Sequence, residues 1–453
     1  MNFRVFISKA LLIAVMSTAV VNAQDSSSVE QRIEAVDQRI RILERKLELE
    51  KEDATAKQKA APVLTASSSG FSFKSGDGAY LIKFRGYFHS DSRVFISDKT
   101  QLGTDTFVLR RVRPIVEGTL AKNFDYRIML DFGQGTATLQ DLHLDANFIP
   151  QLKIRFGKFK SPFALERLQS ATALTFIERA FPTSLGPNRD TGVMVFGELF
   201  KGALEYSVGA FNGVLDGSSG DLDATDSKDI TGRIFALPFV NQSSEALKGL
   251  GFGVAGDIGN QDGTAAAPNV NSYRTSGQAV FFRYRSDATA AGTASATGQR
   301  VRISPQGYYY AGPFSLMAEY TISSQEMRRD VTAAKIRHSA WQATVSFVLT
   351  GDKTSFRGVT PKKAFDPAKG TWGAFEIAFR VHALDLDDDA FPVFANPASS
   401  ATKATALVGG ISWYLNKHAK FIVNYEQTSF DGGAATGDRP TEKLFVSRFQ
   451  LSY

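Results

Sequence analysis

Two stretches carry most of the groups that could act on a ligand: LRRVRPIVEG, residues 109–118, and LKIRFGKFK, residues 152–160. They hold Arg110, Arg111 and Arg113, then Lys153, Arg155, Lys158 and Lys160, set among apolar residues. Such groups act chiefly through their charge. They bind oxyanions, bidentately where the group is a guanidinium, and a row of them in a low-dielectric channel focuses a positive potential. Other chemistry is poorly represented. The absence of cysteine removes thiol catalysis, Cys-ligated metals and disulfides. The five histidines, His89, His143, His338, His382 and His418, are scattered, and none lies in a nucleophile motif. The acidic runs GDLDATD (220–226) and LDLDDD (384–389) have the ligands for Ca2+, but such loops are commonly only solvated. The reading therefore expects no enzyme, no metal and no cofactor.

The elements that position these cations begin after an export signal. Arg4 and Lys9 precede the apolar run ALLIAVMSTAVV, and VNA precedes Gln24, which predicts a secretory signal over 1–23. A retained anchor would need about 20 apolar residues. Residues 24–60 are expected to form a periplasmic coiled-coil helix. Val29, Ile33, Val36, Ile40, Leu43 and Leu47 step by four and three, a heptad seam flanked by Glu34, Arg39, Glu44 and Arg45. Residues 61–78, opening APVLTASSSG, are expected to be a flexible linker. The remainder, 61–453, carries 42 basic and 37 acidic residues, too small an excess to imply a nucleic-acid partner.

From residue 79 the period changes to two. AYLIKFRGYFHSDSRV, NFDYRIMLDFG, SAWQATVSFVL and WGAFEIAFRVHAL each give one apolar and one polar face. These strands are about 10–16 residues long, against about 5–6 in soluble sheets. Connections at one end are short (AKN, PQ, KG, AGP, NK), whereas those at the other are often long and polar, such as 212–229. That asymmetry is the plan of an outer-membrane barrel, and the C-terminal LFVSRFQLSY ends on an aromatic, Tyr453. Seventeen segments qualify as strands, but a closed bacterial barrel needs an even number. The segment 272–286 fits neither direction of travel and is assigned to one long outer loop, about 261–298. The prediction is an all-β, 16-stranded antiparallel transmembrane barrel over 79–453, with a second long outer connection at 161–189 and one long inner turn at 350–370.

If apolar residues face lipid, their alternates face the pore, since a charged group on the lipid side costs about 2–4 kcal/mol near the midplane. The expected anion path is Lys83, Arg85, Arg93, Arg111, Arg113, Arg127, Lys153 and Arg155. Arg233, Arg300, Arg302, Arg380, Lys420 and Arg448 also point inward. So do Asp91, Glu117, Asp125, Asp131, Asp141, Asp145, Glu198, Glu205, Asp257, Glu319, Glu376 and Glu426. The wall is nearly neutral, so placement matters more than the total. Arg110 falls on the lipid face near the outer end of its strand. Pro114 suggests a bulge, however, and a bulge would bring Arg110 inside in place of Arg111.

The stretch 152–197 resembles the phosphate-selective porin O/P family of Gram-negative outer membranes. The resemblance rests on Gly157, Lys158, Lys160, Pro162, Phe163, Leu165, Glu166, Glu178, Arg179, Pro187, Arg189 and Gly192, with further matches at 304–320, 346–353 and 413–425. It implies a homotrimer of 16-stranded barrels in the outer membrane. It also implies loops folded into the lumen and arginines leading small, phosphate-like anions to a lysine-lined constriction. Lys158, Lys160, Arg283 and Arg285 are the expected constriction, the last two through the 261–298 loop. The function expected is passive anion diffusion. The alternatives are a general diffusion porin and a wall whose arginines are all neutralised by inward carboxylates.

Overall fold

A computed structural model of the chain describes residues 26–67, 70–96, 103–221 and 226–453; the signal expected over 1–23 lies outside them. The chain divides into two compact units at Pro62/Val63. The first contains a single helix, α1 (Ser26–Ala60), held along its surface by pairs such as Arg41–Asp37 at 2.8 Å. Ile33, Val36, Ile40, Leu43 and Leu47 form an apolar stripe on α1 and are 47–63% exposed.

The second unit is a closed barrel. Its first eight strands are β1 (Leu81–Phe95), β2 (Thr106–Leu120), β3 (Phe124–Asp131), β4 (Thr138–Ile149), β5 (Leu152–Lys160), β6 (Arg189–Leu199), β7 (Leu204–Phe211) and β8 (Asp229–Ala236). The other eight are β9 (Leu250–Asn260), β10 (Ser295–Ala311), β11 (Phe314–Arg329), β12 (Thr332–Val348), β13 (Ala374–Asp385), β14 (Ala401–Tyr414), β15 (Ala419–Gly432) and β16 (Glu442–Ser452). Each pairs antiparallel with the next, and β16 closes on β1 from Leu444↔Phe95 to Ser452↔Tyr87. Gly86 and Tyr453 seal the seam with two backbone bonds of 3.2 and 3.0 Å. Closure leaves none of the sixteen wall strands as an edge strand facing lipid.

The segment 272–286 is not a wall strand. It supplies a small ribbon, Tyr273–Arg274 with Val280–Phe282, inside the outer connection. Within the expected linker 61–78, in contrast, two short strands form. Val63–Ser67 pairs with Gly70–Lys74, which in turn pairs with β1 from Phe71↔Phe84 to Lys74↔Leu81.

The outer wall exposes an apolar band that includes Phe84, Ile128, Leu144, Phe156, Ile234, Val254, Ile303, Phe379 and Phe449. The lumen is filled unevenly. At the outer end, beside β11–β15, the connections 261–294 and 386–400 pack Phe181, Tyr273, Phe281, Phe282, Leu384 and Phe394 into an apolar cap.

Candidate functional site: a basic path beside an inward loop

The site is shaped by the connection from β5 to β6, residues 161–188, which crosses the lumen and is fastened to the opposite wall. The Leu165 N–H donates to Glu319 on β11 at 2.7 Å, and Gln306 of β10 donates to the Phe163 carbonyl at 2.8 Å. Further round, Arg380 of β13 donates to Glu166 and to the Glu178 carbonyl, at 3.3 and 3.0 Å. Lys420 donates to the Leu174 carbonyl, Arg448 to that of Ile177 and Gln450 to that of Thr172, each within 3.0 Å. The long inner turn joins in, for the Phe356 carbonyl accepts from Gln169 at 2.9 Å. Irregular backbone at membrane depth is tolerable only when its polar groups are satisfied in this way. The walls of β10–β16 are therefore covered, and an open path remains against β1–β8.

That path is a cavity of about 920 Å³. Its lining includes twelve cations: Arg85, Arg110, Arg111, Arg113, Arg127, Lys153, Arg155, Lys160, Arg167, Arg179, Arg189 and Arg233. Only four carboxylates line it, Asp131, Asp141, Glu198 and Glu205. A second space of about 330 Å³ shares Arg110, Arg111, Arg167 and Arg179 with the first and adds Arg274.

The cations are held in two ways. Several sit on carboxylates: Arg113 on Asp131 at 2.7 Å, Arg155 on Asp145 at 2.6 Å, Arg189 on Asp141 at 2.7 Å and Arg85 on Glu117 at 2.7 Å. Others are held by neutral acceptors. Lys160 and Arg179 both donate to the Gln169 carbonyl at 2.9 Å, Arg167 donates to the Thr183 carbonyl at 3.0 Å, and Arg111 lies 3.3 Å from Nδ1 of His89. A carbonyl or a neutral imidazole orients a cation without cancelling its charge, so these four present their charge to the path. Burial, and then Arg179 and Arg189, lower the affinity of the Arg167 guanidinium for its proton. An anion at that point would relieve the repulsion. Glu178, in the same loop, is the counterweight. Burial would raise its carboxyl, but Arg110, Arg111 and Arg448 hold it well below the ordinary carboxylate range.

Residues 82–453 match the family described as "Phosphate-selective porin O and P". The chain belongs to that family. It is 24% identical over 418 residues to Porin O of Pseudomonas aeruginosa, covering 87% of this chain and 93% of that one. Among solved structures, it resembles the outer membrane channel DcaP of Acinetobacter baumannii (TM-score 0.53, 12% identity, 86% of this chain and 99% of that one). It also resembles OmpT of Vibrio cholerae (TM-score 0.51, 10% identity, 86% and 100%). The two structures speak for the fold alone; the family makes this chain an outer-membrane porin.

Within the porin, the residues expected to form the anion path divide. Arg85, Arg111, Arg113, Arg127, Lys153 and Arg155 line the main cavity. Lys83 and Arg93 are not among its lining, and Arg93 is instead turned to Glu178 at 3.3 Å. Of the expected constriction residues only Lys160 lines it. Gly157 has φ +118, and the ladders on both sides run through it without a register shift. Lys158 then lies opposite Leu142, on the face of Phe156 and Leu144, where its ammonium meets the Leu139 carbonyl and Asp221. Arg283 and Arg285 are also away from the path. They belong to the outer cap, and the Arg285 guanidinium donates to the Pro392 carbonyl at 3.0 Å.

The question at Arg110 resolves in an unanticipated way. The bulge lies at Arg110 itself, between the pairs His89↔Arg111 and Ser90↔Leu109, so Arg110 and Arg111 both point inward. Arg110 reaches Glu178 at 2.7 Å. Pro114 costs no ladder bond, because the β2–β3 ladder begins only at Ile115↔Met129. Arg167 was not foreseen, and Arg179 and Arg189 were noticed only as motif positions. The acidic run 384–389 is occupied locally: Asp385 pairs with Lys403 at 2.7 Å and Asp387 accepts from the Asp389 and Arg337 N–H groups. Part of the run 220–226 lies outside the described residues.

Proposed function

We propose that this porin conducts small anions, phosphate and its short oligomers included, by diffusion along the basic path beside the 161–188 loop. The observation that carries the reading is the twelve-to-four excess of cations over carboxylates around the cavity, four of those cations being oriented by neutral groups. Arg and Lys rings are the expected filter of an anion pore, and guanidinium groups suit phosphate oxygens in particular. The family supports reading the cavity as a route of guided passage. The remaining parts follow the same plan. Residues 1–23 direct export to a Gram-negative outer membrane, and the α1 stripe joins three copies on the periplasmic side.

The test is the reversal potential of the purified protein in a planar bilayer under a KCl gradient, followed by phosphate titration. Anion-selective current that phosphate blocks saturably supports the reading. Cation-selective current, or current that phosphate does not block, would make this a general diffusion porin.

A further inference from the structure

We propose that the outer space of about 330 Å³ is a binding site for phosphate monoesters that carry hydroxyl groups, the class of glycerol and sugar phosphates. The proposal rests on the reading of the pore as an anion path and names what that path holds at its outer end. The space is bounded by β2, by the 161–188 loop and by residues 271–278 of the outer connection. Its volume lies at the lower end of the roughly 300–1,000 Å³ of small-molecule sites, more than a lone phosphate fills.

The cations come from β2 and the middle of the loop. Arg110, Arg111, Arg167 and Arg179 line the space there, and Glu178 is the one carboxylate among its described lining residues. Glu178 is taken up by Arg110 at 2.7 Å and by Arg93 at 3.3 Å. Arg111, Arg167 and Arg179 are left to an imidazole and to backbone carbonyls. The Nε of Arg167 is buried with no hydrogen-bond partner. A phosphate group fits here, because its oxygens accept from the spare guanidinium N–H groups.

The end of the loop and the outer connection contribute neutral groups, apart from Arg274, whose guanidinium is turned onto the Gln278 carbonyl at 3.0 Å. The Thr183 hydroxyl donates to the Ala180 carbonyl at 2.9 Å and the Tyr273 hydroxyl to Asp216 at 3.2 Å. Both have spent their protons, so what they can still offer a ligand is lone pairs. The Ser184 and Ser272 hydroxyls have no hydrogen-bond partner among the described residues. The connection that carries Ser272 and Tyr273 is itself pinned, by Thr275 to Glu442 at 3.0 Å and by Asn271 to the Ser218 hydroxyl at 3.2 Å. These groups are therefore placed before a ligand arrives. The oxygens of a bare phosphate mostly accept hydrogen bonds and cannot answer a lone pair, whereas each hydroxyl of an ester brings a proton that can. An ester seated with its phosphate on Arg111 and Arg167 uses both sets of groups; a bare phosphate uses one.

The test is block of the chloride current through the purified full-length protein in a planar bilayer. Glycerol 3-phosphate is compared with propyl phosphate, which has the same phosphate and chain length but no hydroxyl groups. Glycerol 3-phosphate is expected to half-block at a concentration about tenfold lower, the worth of about two hydrogen bonds. Ser184→Ala combined with Ser272→Ala should bring the two esters together, and Thr183→Val should do so in part. Heat-modifiable mobility checks that each variant is folded. Esters that block the parent alike, with phosphate blocking too, would overturn this site and leave the anion path standing. A difference that survives all three substitutions would also overturn it, since the groups that sense hydroxyls would then lie elsewhere. No block by either ester or by phosphate would overturn the anion path and this site together.

Discussion

Replacing Arg167 and Arg179 together with glutamine should weaken phosphate block about a hundredfold while reducing chloride preference only about tenfold. A cavity of about 920 Å³ has an equivalent radius of about 6 Å, so an anion near its centre is about 6 Å from each lining cation. At that distance a unit pair interacts by about 0.7 kcal/mol in the dielectric of water and by about 2.8 kcal/mol at an effective value of 20. Taking the lower figure, because the path holds salt water, two lost charges remove about 1.4 kcal/mol from a monovalent anion and about 2.8 kcal/mol from a divalent one. Those energies are the tenfold and hundredfold changes. Both residues also fasten the loop, to the Thr183, Glu166 and Gln169 carbonyls. The double lysine variant, which keeps the charge, separates the two roles. Reversal potential under a KCl gradient and the phosphate concentration for half-block would be read on all three proteins. A glutamine variant within twofold of the parent on both readings would refute the assignment. So would a lysine variant as impaired as the glutamine one, because geometry and not charge would then be at work.

The two motif lysines should behave differently: Lys160→Gln lowers anion preference several-fold, whereas Lys158→Gln, and Arg283→Gln with Arg285→Gln, leave it unchanged, all read as reversal potentials. Glu178→Gln leaves Arg110 and Arg93 without their carboxylate and should cost about 3 kcal/mol, seen in thermal unfolding in detergent. Because the folded carboxyl titrates below the unfolded one, this contribution is complete above about pH 5 and shrinks once the unfolded group protonates near 4.3. It disappears only below the folded value. A difference between parent and variant that grows toward acid pH would contradict the pairing. Gly157→Ala should prevent assembly of the folded barrel, judged by heat-modifiable mobility, because a Cβ there meets the Leu142 carbonyl oxygen at a positive φ.

The wall was legible because its information is periodic. Alternation located strands such as Phe124–Asp131, read from NFDYRIMLDFG, to within a residue or two, and parity removed 272–286. The departures occur where period two is interrupted or imitated. One extra residue at Arg110 redirects a cation without disturbing the apolar pattern around it. The stretch AVFFRYR alternates like a wall strand, but its rings serve the outer cap: Phe281 and Phe282 are buried there, and Tyr284 hydrogen-bonds His338 at 2.7 Å. The hairpin 63–74 escaped notice because its strands are only five residues long and interrupted by serine and glycine. Arg167 lies in a segment with no period at all, where only the position of the loop decides what a side chain faces.

A nearly neutral wall can still line a basic path, and the 161–188 loop is the reason. The fourteen basic and twelve acidic residues read as inward-facing are distributed all around the barrel. By lying across β10–β16, the loop takes that side's carboxylates out of the path. Glu319 is engaged by the Leu165 N–H of the loop, and Glu376 is held within the wall by Tyr414 at 2.6 Å. The loop returns cations of its own, Arg167 and Arg179, and orients Lys160 with a backbone carbonyl. The charge on the path is thus set by what the loop covers as much as by what the strands contribute. Removing the loop should make the pore wider and also less selective than any single wall substitution, because it would re-expose buried carboxylates together with the lumen.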